Sequence, residues 1–244
     1  MTIDCHVHVK GGDQFHREFD AETILAAMDR AGVDKAVIFA ICAPSRESNE
    51  MTRRQWAKCP ERLIPFAHTV MDEGELGAHE VGRAVCEWGF RGVKLHFGET
   101  RRGGEALTPE MTDPIFAKIE ALGVPCLVDC AQDLATMTRV TAAFPSLRFI
   151  IAHLGSPSDE RLVDRFAWLA HERSNVWLDC SYCFVPFKIR EVVELLGPRK
   201  VIWGSDGLLW HPLTELQKIK LLDLPAEDEA RILGGNIAEL LGIA

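Results

Sequence analysis

Eight short runs rich in Val, Ile, Leu, Phe and Cys recur along the chain, separated by stretches with helical patterning. They cover residues 2–9, 35–42, 63–70, 91–97, 125–131, 148–155, 176–182 and 201–209. Near-continuous apolar runs of this kind are expected of strands buried on both faces, the condition of a parallel sheet covered by helices. The intervening stretches carry helix ends. Asp20 precedes AETILAAMDRAG, which closes on Gly32; LGAHEVGRAVCEWG closes on Gly89; PEMTDPIFAKIEALG begins with Pro109 and closes on Gly123. DLATMTRVTAAFP, residues 161–173 and KIREVVELLGP supply three more, and residues 213–244 a last helical layer broken near 224–225 and 234–235. Eight such units in 244 residues, close to the roughly 250 of a (β/α)₈ barrel, predict a single TIM barrel over 1–244 as one domain. No seam rich in Pro, Gly or Ser divides the chain. A doubly wound sheet is the alternative, but no G-x-G-x-x-G follows the first run.

Charge and cysteine usage narrow the partners. Lys+Arg number 27 and Asp+Glu 36, a net charge of −9, and no basic stripe offsets it, which argues against nucleic acid. No apolar run approaches the roughly 20 residues of a membrane span, so no membrane partner is expected. The start, MTIDCHVHVKGG, shows no basic segment followed by an apolar one, so a cytoplasmic location is expected. Cys5, Cys42, Cys126, Cys130 and Cys180 lie in the strand runs, where reduced cysteine acts as a small hydrophobe. Cys180 and Cys183 make one C-x-x-C, without the second ligand pair a zinc knuckle needs. The expected partner is a small molecule; a homo-oligomer is compatible with the sequence.

Barrel enzymes place their chemistry at the C-terminal ends of the strands. Those ends here hold His6, His8, His68, Lys94, His96, Asp129, His153, Asp179 and Asp206. His6 and His8, at i and i+2 of a strand, project to one face and can chelate one cation. Asp4 is expected on that face one step deeper, as a hydrogen-bonding support. Asp206, in VIWGSDG, ends the last strand and closes the ring beside the first. It can ligate the metal, take a proton from metal-bound water, or cap the following loop. His153, in FIIAHLG, can donate a proton or polarise a carbonyl, or bond to backbone as a buried histidine does. Arg101 and Arg102, in the GETRRGGEAL loop, could bind an anionic substrate through forked hydrogen bonds or simply be solvated loop charge. His68, Tyr182 and the Trp210–His211 pair are expected to shape the pocket; His16, His79 and His171 receive no role.

Taken in order, IDCHVHV, WGFRGVKLHF, LGVPCLVD, FPSLRFIIAHLG, VIWGSD and GNIAELLG resemble the amidohydrolase superfamily. The likeness is to the amidohydrolase-related branch of small-acid decarboxylases and metal-dependent hydrolases, and runs from residue 2 to 242. The TatD-like nucleases share the H-x-H but carry a glutamate-bearing motif on strand four that RGVKLHF lacks. The resemblance implies a TIM barrel enzyme with His6 and His8 as metal ligands, His153 as a catalytic polar group and Asp206 as ligand or general base. The family commonly has a metal-binding His four residues after the strand-five proline; here Pro125 plus four is Asp129. Asp129 is therefore expected as a ligand, its harder oxygen admitting manganese beside zinc, or metal affinity is lost. Lys94 and His96 alternate on strand four; Lys94 is expected to meet a substrate carboxylate or pair with Asp129, and His96 to face the substrate. Carbamylated Lys94 bridging two metals is the binuclear alternative.

These residues support three readings of function. First comes a metal-dependent hydrolase of a small polar or carboxylate-bearing substrate, one divalent ion (zinc first, manganese second) activating water. Next comes non-oxidative decarboxylation of a small aromatic acid with the same ion. Last comes a catalytically inactive barrel that binds a ligand.

Overall fold

The computed structural model describes residues 1–11, 17–42, 44–98 and 107–243. Strands β1 (Ile3–Lys10), β2 (Lys35–Ala40), β3 (Leu63–His68), β4 (Gly92–His96), β5 (Cys126–Asp129), β6 (Phe149–Ile151), β7 (Val176–Asp179) and β8 (Val201–Ile202) pair in parallel in sequence order. The backbone closes the ring: Cys5 N donates to the Trp203 carbonyl at 3.3 Å and Gly207 N to the His6 carbonyl at 3.0 Å. A parallel sheet closed on itself with helices outside is the (β/α)₈ barrel that the alternating pattern predicts.

Helices follow the strands: α1 (Ala21–Ala31), α2 (Ser45–Trp56), α3 (Glu75–Trp88), α4 (Pro109–Leu122), α5 (Leu134–Ala143), α6 (Glu160–Glu172), α7 (Pro186–Leu196) and α8 (Pro212–Lys220), then α9 (Ala226–Ala230) and α10 (Asn236–Leu241). The ends read from the sequence are used. Asp20 accepts from Thr23 N, and Gly32, Gly89 and Gly123 take left-handed φ of 71°, 78° and 65°. The closing helix packs at the N-terminal end of the barrel. Arg91, just before β4, donates to the Leu241 carbonyl, and Arg148, just before β6, to that of Leu240, each at 2.7 Å. Among the described residues no helix is long and apolar enough to cross a membrane.

Helix α2 has no apolar repeat in its sequence, because the face it buries is Ser45, Ser48, Asn49 and Thr52. Each is hydrogen-bonded. Asn49 accepts from His68 N at 2.7 Å and donates to its carbonyl at 3.1 Å, while Thr52 accepts from Ala40 N at 2.9 Å. Satisfied polar groups replace apolar burial here, so hydrophobic periodicity gives no signal.

Two departures position the functional side chains. In β1, Asp4 pairs with Ala36 and Val7 with Ile38, three steps against two, so a bulge lies between them. The bulge corrects the expected placement of Asp4. Asp4 faces outward with Ala36, while His8, paired with Phe39, faces in. Asp4 instead accepts from Ser205 N at 2.8 Å and His6 N at 3.1 Å, tying β1 to the segment after β8. Second, β6 and β8 end well short of 155 and 209. The chain leaves them through left-handed residues that are not glycine: His153 (φ 58°), Leu154 (52°) and Asp206 (57°), with Tyr182 (55°) after β7. Such backbone costs about 1–3 kcal/mol per residue and persists where its surroundings fix it.

Candidate active site

A cavity of about 510 Å³ opens at the C-terminal ends of the strands. Its polar wall includes His8, His96, Asp129, His153 and Asp206, and Tyr182 and Trp210 form an aromatic wall. Tyr182 meets the His153 ring edge-on at 5.5 Å and is backed by Phe184 at 4.8 Å. His6 and Lys94 are completely buried and do not line the cavity.

His6, His153 and Asp206 each offer a donor atom, and these atoms lie within 4.8 Å of one another. His6 Nδ1 stands 2.7 Å from Asp179 Oδ2 and donates to it. That bond fixes the tautomer and leaves the Nε2 lone pair 3.3 Å from Asp206 Oδ1. Burial and the neighbouring Lys94 charge lower the His6 pKa to about 3, so the ring is neutral, the form that ligates a metal. Burial acts against ionisation of Asp179, but the His6 hydrogen bond, the His153 charge and the Ser181 N–H outweigh it and keep Asp179 a carboxylate. Gly204, in the WGSD segment, is required here: a Cβ would stand 2.9 Å from Asp179 Oδ1, Cys5 Sγ and His6 Cβ.

His8 Nε2 is 2.8 Å from Asp206 Oδ1. Its Nδ1 is buried with no partner among the described residues. Burial would raise the Asp206 carboxyl, but the His8 hydrogen bond and the His153 charge hold it far below the ordinary range. Two imidazole nitrogens beside an ionised carboxylate, one imidazole oriented by a second carboxylate, fit a divalent cation.

Asp129 stands beside this cluster, its Oδ2 3.5 Å from His153 Nε2 and 3.3 Å from His96 Nε2. Its Oδ1 accepts from Ala131 N at 3.0 Å. His153 donates through Nδ1 to the Ser181 carbonyl at 3.1 Å. Burial alone would lower the His153 pKa, but Asp129 and the charges of Asp206 and Asp179 raise it to about 9. His153 is therefore a buried acid facing the cavity. For Asp129 itself, burial works against the charge and His153 and His96 more than restore it, so it is ionised.

The structure thus gathers His6, His8, His153, Asp206, Asp129 and His96 at one mouth. Lys94 does not contact Asp129; its Nζ lies 2.9 Å from His6 Nε2. Arg101 and Arg102 lie outside the described residues. His68 is buried behind the wall, donating to the Lys94 carbonyl at 3.1 Å, and His211 caps α8. Two participants lacked a role in the sequence reading. Asp179 was one of many polar strand ends with nothing to name its partner. Arg17 lines the cavity from the loop after β1, and only its place on the C-terminal face of the barrel could have drawn attention to it.

The amidohydrolase sequence profile matches residues 3–243. The chain belongs to the amidohydrolase family. It is an enzyme of that family. A γ-resorcylate decarboxylase of Polaromonas sp. (strain JS666 / ATCC BAA-500) is 30% identical over 128 residues, 51% of this chain and 32% of the relative. The match thus spans about a third of that relative's length. A solved 2,6-dihydroxybenzoate decarboxylase in complex with 2,6-dihydroxybenzoate superposes with a TM-score of 0.80 at 17% identity, covering 99% of each chain. A dihydroxybenzoic acid decarboxylase from Polaromonas sp. JS666, solved with manganese and 2-nitroresorcinol, gives 0.74 at 18%, covering 99% and 97%. At these identities the superpositions establish the (β/α)₈ barrel fold alone.

Proposed function

We propose that this amidohydrolase is a metal-dependent, non-oxidative decarboxylase of a small hydroxyaromatic acid, with His6, His8 and Asp206 holding one divalent cation. The observation that carries the reading is His153 at the wall of the cavity with its Nε2 3.5 Å from the Asp129 carboxylate, a pairing that favours the protonated ring. Aromatic decarboxylation needs a proton delivered to carbon, and a buried imidazolium supplies one. The named activities of the relatives support the same reading, and it replaces hydrolysis, the first reading of the sequence.

When bound, a divalent cation would supply fixed positive charge for the acid's carboxylate and the oxygen beside it. The mixed nitrogen and carboxylate donor set suits manganese as well as zinc. His153 gives its proton to the ring carbon that bears the carboxylate. The bond from that carbon to the carboxyl carbon then breaks, its electron pair returns to the ring, and CO₂ leaves. His153 is left neutral and recovers a proton from solvent. Asp129, read from the sequence as a ligand, acts here by holding His153 and His96. Tyr182 and Trp210 stack against the substrate ring, and about 510 Å³ is ample for a single-ring acid.

The test is a product assay. The manganese- and zinc-loaded protein is offered hydroxybenzoic acids, esters and lactones, with CO₂ and acid release measured separately. CO₂ with a phenolic product is expected from the acids. Acid release from esters or lactones without CO₂ would restore hydrolysis, and binding without turnover would make the barrel a ligand carrier.

A further inference from the structure

Lys94 is among the largest side chains buried completely in this protein. It sits in β4 with its Nζ 2.9 Å from His6 Nε2 and 4.9 Å from the centre of the Phe39 ring. The His6 ring proton is committed to Asp179 through Nδ1, so Nε2 is an acceptor and Lys94 donates to it. That lone pair, 3.3 Å from Asp206 Oδ1, is also the one that a cation held by His6, His8 and Asp206 requires. One lone pair cannot serve both.

We propose that Lys94 is a built-in competitor for the metal: its amino group occupies His6 Nε2 in the metal-free protein and must leave when a divalent cation binds. The inference rests on His6 being a metal ligand, as read above. Without Lys94 the metal-free site would hold the carboxylates of Asp179 and Asp206 around His6 with only His153 to balance them, a costly arrangement in a buried place. Lys94 offsets that cost. The same contact weakens the site for metal, because loading must break a buried hydrogen bond and bring a divalent charge beside an amine. The geometry therefore describes a site that is stable without metal and exchanges it readily, rather than one that traps its ion.

The test measures metal affinity and metal-free stability, not turnover. Wild type, Lys94→Met and His6→Ala are stripped with chelator and titrated calorimetrically with Mn²⁺ and Zn²⁺, and metal-free melting is followed by circular dichroism. Met keeps the length and apolar stem but cannot donate. Lys94→Met is expected to bind Mn²⁺ about tenfold more tightly, the scale on which groups bonded to metal ligands act, and to melt lower without metal. Folded Lys94→Met with unchanged or weaker affinity would overturn the proposal. If His6→Ala binds as wild type does, the ligand reading of His6 fails instead, a different result. Should Lys94→Met not fold, a structure of zinc-loaded wild type decides. Nζ beyond hydrogen-bonding distance of His6 Nε2 is expected, and Nζ still bonded there with zinc bound would refute the competition.

Discussion

Two histidines stacked 5.1 Å apart at the mouth of the barrel are driven in opposite directions. On the β1 side, His6 is backed by Asp179, touched by Lys94, and its pKa is lowered to about 3. On the β6 side, His153 faces Asp129 and its pKa is raised to about 9. Both are buried, so burial alone does not separate them; the charge beside the outward nitrogen does. A cation there keeps His6 neutral, and a carboxylate keeps the proton on His153. One residue type is thereby suited to ligation on one side and to proton donation on the other.

That contrast can be broken from either side. The largest expected effect is from His153→Gln, which keeps a polar side chain but removes the acid. CO₂ release should fall about 10²–10⁴-fold, the usual weight of a general acid, with metal content by elemental analysis unchanged. Loss of metal in this variant would make His153 a ligand and erase the distinction.

Asp129→Asn should cost less, about tenfold in turnover, since the imidazole remains and only its preference for the proton is lost. The alkaline limit of activity should move to lower pH, and metal content should hold. A matching change in stability follows from linkage. His153 has a folded pKa above its unfolded value of 6.5, so its contribution is fully present below pH 6.5 and lost as pH rises through about 9. Melting temperature should therefore fall over that window in wild type and more weakly in Asp129→Asn. His68 supplies the opposite sign: burial lowers its pKa to about 3, so its contribution is lost as pH falls from 6.5 toward 3. A melting profile that is flat across both windows would contradict these assignments.

The smallest effect is expected at the aromatic wall. Tyr182→Leu removes a ring that stands against His153 and Trp210. KM for an aromatic acid should rise about threefold to tenfold, the scale of one aromatic pair, with kcat little changed.

The strand order, the caps at Asp20 and Gly32 and the gathering of His6, His8, His153 and Asp206 were legible because each depends on local pattern or on a place at the C-terminal end of a strand. Helix α2 was not, since its buried Ser, Asn and Thr face is polar and satisfied by partners distant in sequence. Asp4 was misplaced because a bulge reverses strand parity and leaves no mark in residue type. The ends of β6 and β8 were overrun because left-handed turns at His153 and Asp206 interrupt apolar sequence without a glycine or proline at those positions. The site residues could be named from sequence, but their partners could not. Which charge lies beside which nitrogen depends on side chains 88 and 173 positions apart, Lys94 and Asp179 against His6.

The division between the two histidines is tested most directly by nitrogen NMR of the ¹⁵N-histidine-labelled protein, metal-free and zinc-loaded, with His6→Ala and His153→Gln for assignment. At pH 7 the metal-free protein should show His153 with both nitrogens protonated and His6 neutral with its proton on Nδ1. Zinc should shift Nε2 of His6 and leave His153 without a metal-bound nitrogen. A neutral His153 whose nitrogen takes the zinc shift would contradict the account.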